Sequence, residues 1–155
     1  MNAILAGVHV GAKNIRFGIV LFLLLGVLAG IPLTIDFLGG SLLTGDQYLA
    51  WKVVHGYSVF LAFINCFLGL AIDRLEMSRG QKELVSWSFL AAGAIGGLGR
   101  ASLLLLSALD RFGQAASLFE TVLFVLGSFV MVRGLLQGSA HAADEISHVE
   151  RAHAG

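Results

Sequence analysis

Residues 53–72 read VVHGYSVFLAFINCFLGLAI, and this stretch decides the class of fold. Its length matches the roughly 20 apolar residues that an α-helix needs to cross the hydrocarbon core of a bilayer. Three further stretches of the same kind, at about residues 17–38, 85–108 and 118–136, account for most of the 155-residue chain. We therefore predict an all-α integral membrane protein, a four-helix transmembrane bundle that forms oligomers.

The composition supports the same class of protein. Hydrophobic residues make up 57% of the chain and charged residues 13%, which leaves too little polar surface for a soluble domain. Residues 1–136 are predicted as one bundle and residues 137–155 as a polar C-terminal tail. The formal net charge is zero, so neither nucleic-acid binding nor a polybasic lipid-binding patch is expected.

The basic residues predict an orientation in the membrane, because cytoplasmic flanks of membrane spans are enriched in Lys and Arg. The side with both termini and the loop between the second and third spans has seven of them, namely Lys13, Arg16, Arg74, Arg79, Lys82, Arg133 and Arg151. The opposite side has Lys52 and Arg111. This asymmetry predicts a multi-pass protein of a bacterial inner (cytoplasmic) membrane with both termini in the cytoplasm.

His55 lies within a predicted span. A histidine there is a candidate functional group, because lipid offers it no partner. It can hydrogen-bond to a neighbouring helix, reach the outer interface, or ligate a metal or haem iron through a ring nitrogen. A proton relay would need a chain of further ionisable groups. His55, Ser58, Ala62, Asn65 and Gly69 recur at three- and four-residue intervals, which places them on one face of the helix.

Other polar residues are predicted near the same depth in the outer half of the bundle. Asp36 ends the first span, Glu120 begins the fourth, and Arg100 lies about two turns inside the outer end of the third. A charged side chain within a span normally pairs with another group. We therefore expect Arg100 to contact Glu120 or Asp36, although it could instead neutralise a haem propionate.

If His55 binds haem, the other spans provide no second histidine ligand. The iron would then be five-coordinate with an open position, which favours ligand binding or activation over simple electron transfer. The chain has no Cys-x-x-Cys-His motif, so a non-covalent haem b is expected. Gly97 and its neighbouring glycines provide either close helix packing or room for a flat cofactor.

The run Trp51-Lys52-Val53-Val54-His55-Gly56 at the start of the second of four spans, followed down the helix by Asn65, resembles the styrene oxide isomerases. This resemblance implies that His55 ligates a b-type haem lying between the protomers of a homotrimer. It also implies that ferric iron acts as a Lewis acid on an epoxide, which isomerises to an aldehyde through a 1,2-hydride shift. The third span departs from that family, because it offers Arg100 and Ser102 where the family has an aspartate and a tyrosine.

The predicted function is therefore a membrane-bound haem isomerase that acts on a small, apolar aryl epoxide. His55 is the predicted metal ligand, Arg100 and Gly97 are further cofactor-binding residues, and Asn65 and Arg100 are the predicted catalytic residues. The alternative is a non-catalytic haem-binding or structural subunit of a larger membrane complex. A small transporter fits less well, because the sequence has neither an internal repeat nor a pair of broken helices.

Overall fold

The computed structural model describes residues 9–103 and 110–153, with side chains described at 9–102 and 114–137. Within these residues the structure is all-helical. Three helical segments are long and apolar enough to cross a membrane: Ala12–Phe37, Gly45–Arg74 and Gln114–Gln137. The predicted all-α class is thereby confirmed, together with three helices suited to a bilayer.

The first long helix contains a change in helical geometry. It consists of α1 (Ala12–Leu21), a π-helical turn (Phe22–Val27) and α2 (Leu28–Phe37), which contains Pro32. The Leu28 N–H bonds to the carbonyl of Leu23, five residues earlier, as expected of a π turn. Such turns are rare and occur frequently at functional sites.

The second long helix begins earlier than the predicted span. Helix α3 (Gly45–Ala71) is followed by a short 3-10 turn (Ile72–Arg74). Thr44 and Gln47 form a capping box, in which each side chain bonds the other residue's backbone N–H. Tyr48 therefore lies in the first turn of the helix.

Helix α4 (Arg79–Leu103) corresponds to the third predicted span. Among the described residues, α4 is not one of the helices that are apolar enough to cross a membrane. Its small residues and Arg100 lower its mean hydropathy. Helix α5 (Asp110–His153) contains the fourth predicted span and continues into the predicted polar tail. The last residues of the third predicted span, 104–108, lie outside the described residues.

The main packing follows chain order, with α1 against α3, α3 against α4, and α4 against α5, and α1 also contacts α4. At one end, the Asp73 carboxylate accepts hydrogen bonds of 2.9 to 3.0 Å from the backbone N–H groups of His9, Val10 and Gly11. A carboxylate in this position satisfies unpaired donors at a helix N-terminus and complements the helix dipole. The connection after α3 thereby fixes where α1 begins.

Candidate functional site

A buried polar cluster joins three helices, α1, α3 and α4. Asn14 of α1 donates to Oδ1 of Asn65 (3.0 Å) and to the backbone carbonyl of Ser86 (3.1 Å), while the Ser86 hydroxyl donates back to Asn14. Asn65 in turn donates to the carbonyls of Leu61 (3.0 Å) and Phe89 (3.3 Å). The three polar side chains have 0% exposure. Their hydrogen-bonding capacity is used within the bundle, as buried polar groups require.

The small, polar face predicted on the second span does meet other helices. Ser58, Ala62 and Asn65 are at most 2% exposed. A Cβ atom added at Gly69 would fall 2.6 Å from the carbonyl oxygen of Gly11, so this glycine allows α1 and α3 to approach closely. The face is therefore a helix-packing surface over most of its length.

A second polar cluster lies between α4 and α5 and includes an ion pair. Nη1 of Arg100 donates to Oε2 of Glu120 at 2.5 Å and to the carbonyl of Gly96 at 3.3 Å. The Arg100 guanidinium also lies 3.6 Å from the ring centroid of Tyr57 on α3, a cation–π contact. Glu120 is 1% exposed. The pair expected from the sequence is present with Glu120, whereas Asp36 accepts from the backbone N–H of Leu42 (2.8 Å).

The glycines of α4 accommodate neighbouring side chains. A Cβ atom at Gly96 would fall 2.4 Å from Cδ of Glu120, and one at Gly97 would fall 2.9 Å from Cδ1 of Leu21. Gly96 thus leaves space for the buried carboxylate, and Gly97 lets α4 pack against α1. The structure places Gly97 in this contact; its assignment to cofactor binding stays a prediction.

His55 lies apart from both clusters, on the side of α3 that faces the first long helix. Its Nδ1 atom is 2.8 Å from the carbonyl oxygen of Gly26 in the π turn. Because a carbonyl oxygen only accepts hydrogen bonds, Nδ1 is the nitrogen that donates. The neutral ring then has its lone pair on Nε2, which has no hydrogen-bond partner among the described residues.

We call the depression beside this ring the His55 groove, a largely apolar, open cavity of about 410 Å³. It is lined by Phe22, Gly26, Val27, Gly30, Ile31, Thr34, Ile35 and His55. Gly30 makes room for the imidazole, since a Cβ atom there would lie 3.1 Å from Cε1 and 3.2 Å from Nδ1 of His55. The groove therefore combines apolar walls with a single available nitrogen.

The predicted site residues do not converge on this groove. Asn65 lies ten residues after His55, about 15 Å along the helix, and Arg100 is held by Glu120 and Tyr57. Neither lines the groove. Their catalytic assignments stay predictions, while their observed contacts are with other helices of the bundle.

Sequence reasoning missed two contributors to the site, Gly26 and Gly30. Their four-residue spacing indicates a close helix contact, which is present. The Gly26 carbonyl as a partner for His55 was not predicted, because neighbouring helix positions are inferred from an uninterrupted 3.6-residue repeat and the π turn breaks that repeat.

Comparison with known proteins returned no match: no protein-family model, no curated protein and no solved structure corresponds to this chain.

Proposed function

We propose that this chain is a membrane-bound b-haem isomerase that converts an apolar aryl epoxide to an aldehyde, with His55 as the axial ligand. The observation that supports it is the arrangement in the His55 groove. The ring donates through Nδ1 to Gly26 and so offers Nε2 as a ligand atom beside an apolar cavity. Ligating histidines typically donate their other ring nitrogen in this way.

The residues present fit haem better than they fit a metal ion held by protein side chains alone. A structural or catalytic zinc site takes three or four protein ligands, and the described residues contain no group of three or more His, Cys, Asp or Glu that could hold a metal ion. Haem iron takes only one or two axial ligands from the protein. One histidine in an apolar groove meets that requirement.

The walls of the groove define what this chain does in the reaction. Phe22, Ile31 and Ile35 offer apolar surface to an aryl group and keep water away from it. His55 is the potential ligand among the lining residues, and it would hold the haem iron through Nε2. When bound there, ferric haem supplies a Lewis acid for the epoxide oxygen. The overall conversion is an isomerisation: the benzylic C–O bond breaks, a hydride moves from the carbon that keeps the oxygen to the benzylic carbon, and the remaining C–O bond becomes C=O, so that no atom is gained or lost.

The proposal also covers the membrane location, the topology, the route of the substrate and the oligomeric state. We place the protein in a bacterial inner membrane with both termini in the cytoplasm, and α4 as a fourth span between α3 and α5. The substrate reaches the groove from the bilayer, because the groove is open and apolar. The open side of the groove also supports a homo-oligomer, such as a homotrimer, in which a second protomer covers the cofactor.

A haem-content measurement tests the ligand. Protein purified in detergent from haem-replete cells is expected to show a Soret band that His55→Ala abolishes. His9→Ala is the matched control, since the exposed His9 contacts Asp73 through its backbone N–H alone, and it should retain the band. A colourless wild type, or equal haem content in the two variants, would refute the proposal.

An activity measurement tests the reaction. Styrene oxide specifically deuterated on its terminal carbon should give phenylacetaldehyde in which the migrating deuterium is retained on the neighbouring carbon, as read by NMR. Loss of that label to solvent would exclude a direct hydride shift. A haem-loaded protein with no turnover of several aryl epoxides would instead support the alternative of a non-catalytic haem-binding subunit.

A further inference from the structure

The π turn determines which residues of the first long helix face α3. In an uninterrupted α-helix, about 100° per residue would place Gly26 about 120° and Gly30 about 160° away from Asn14. A π turn contains one extra residue, so the residues after it are rotated back by about 100° relative to an uninterrupted α-helix. Both glycines are thereby brought close to the inward face that Asn14 defines, where they meet α3.

We propose that this π turn sets the tautomer of His55. It holds the Gly26 carbonyl oxygen 2.8 Å from Nδ1, so that the ring proton stays on Nδ1 and Nε2 is the ligating atom. The inference rests on the proposed function for the identity of the metal, whereas the tautomer itself is a property of this chain. Gly26 is thus a positioning residue that acts through its backbone.

The close fit of the ring supports this role. Gly30 lies one helical turn from Gly26, and its missing side chain leaves just enough room for the edge of the imidazole. A ring that is confined on one edge and hydrogen-bonded at Nδ1 cannot rotate to exchange its two nitrogens without breaking that bond. The Nδ1 donor also increases the basicity of Nε2, which strengthens its bond to a metal.

The tautomer can be measured without any cofactor. In haem-free protein with ¹⁵N-labelled histidine, held above about pH 8 so that imidazole is neutral, the signals lost in His55→Ala identify this ring. We expect a protonated Nδ1 and an unprotonated Nε2 from their ¹⁵N chemical shifts. A ring protonated at Nε2, or an even mixture of tautomers, would overturn the inference.

Two glycine variants form a matched pair for the positioning role. A methyl group at Gly30 would press on Cε1 and Nδ1 of His55, whereas one at Gly26 would press on the side chains of Phe22 and Val59. We expect Gly30→Ala to yield a mixed tautomer and Gly26→Ala to keep the wild-type one. Equal tautomer populations in the two variants would contradict the proposal. If a variant fails to fold, the tautomer of the wild-type ring still tests the proposal.

In haem-loaded protein, the stretching frequency of the ferrous iron–histidine bond provides a second reading. Gly30→Ala should lower this frequency, because loss of the Nδ1 donor weakens the ligand, and Gly26→Ala should leave it unchanged. An Nδ1–H tautomer in a protein that binds no haem would refute the proposed function alone. Haem bound by a His55 whose free ring is protonated at Nε2 would refute the π-turn inference alone.

Discussion

At the scale of single residues, His55 and Arg100 differ in how their polar atoms are satisfied. Arg100 has a carboxylate, a backbone carbonyl and an aromatic ring around it, all from this chain. His55 has one nitrogen bonded to Gly26 and the other without a partner among the described residues. An unsatisfied polar atom in a bilayer costs several kcal/mol. The arginine is therefore explained by packing, whereas Nε2 of the histidine is left available for the proposed ligand.

The ion pair gives a prediction about stability. Arg100→Met leaves the buried Glu120 carboxylate without its partner, and breaking a buried pair costs about 3–5 kcal/mol. The double variant Arg100→Met/Glu120→Met removes both charges and should recover most of that loss. Thermal unfolding of the purified protein in detergent measures the difference. A double variant that is no more stable than Arg100→Met would show that an unpaired charge is not the cause.

Some contacts of the predicted site residues could be inferred from the sequence, and others could not. Pairing of Arg100 was predictable, because a charge in a span requires a partner and few are available. The separation of Asn65 from His55 also follows from the sequence, because ten residues span about 15 Å along one helix. The separation of Gly97 from His55 was not predictable, because spacing along one helix does not determine how neighbouring helices are rotated. Asn65 is engaged by α1 and α4, and Gly97 by α1.

At the scale of helices, periodicity predicted the inward face of α3 but not the geometry of the first long helix. The face with Ser58, Ala62 and Asn65 is buried as its spacing indicated. The π turn has no recognisable signature in residues 22–27, since one extra residue in an apolar run leaves no change in composition. The early start of α3 could have been read from Thr44 and Gln47, which have the spacing of a capping box.

The polar cluster of α1, α3 and α4 gives a prediction at this scale. Asn65→Ala removes the partner of Asn14 and leaves buried groups unsatisfied, at a cost of about 1–3 kcal/mol. Ser58→Ala is the control on the same face, because the buried Ser58 hydroxyl has no hydrogen-bond partner in the described structure and its removal should cost little. Denaturation midpoints of the two purified variants measure this difference.

The isomerase activity of haem-loaded Asn65→Ala, measured beside its Soret band, distinguishes packing from catalysis. A packing role predicts an unchanged Soret band, because the residue lies about 15 Å along α3 from His55. A variant as stable as the wild type that binds haem but has lost isomerase activity would instead support the catalytic assignment of Asn65.

At the scale of the whole molecule, the groove involves one pair of neighbouring helices. The first long helix packs mainly on α3, and α5 packs mainly on α4. The His55 groove is open and is lined by residues of the first long helix and α3. An open, apolar groove can be reached from lipid and can be completed by a neighbouring protomer, in agreement with the proposed oligomer.

Apolarity alone does not establish that α4 crosses the membrane. Thiol labelling can test whether it does. Gly45 and Gly80 lie in the first turns of α3 and α4 and have open space around them, so cysteine should be tolerated at both. In a Cys66→Ala background, Gly45→Cys should react with an impermeant thiol reagent added outside spheroplasts. Gly80→Cys should react only after the membrane is opened.

The decisive position for α4 is Gln114, an exposed residue near the start of α5. If α4 crosses the bilayer, Gln114→Cys lies on the same side as Gly45→Cys and is labelled from outside. If α4 stays on the inner surface, Gln114→Cys is labelled together with Gly80→Cys, and the four-span proposal fails. Crossing is physically reasonable because α4 turns its polar side chains inward, with Ser86 bonded to Asn14 and Arg100 bonded to Glu120. Its low hydropathy then reflects groups that the neighbouring helices satisfy, and lipid meets mainly its apolar residues.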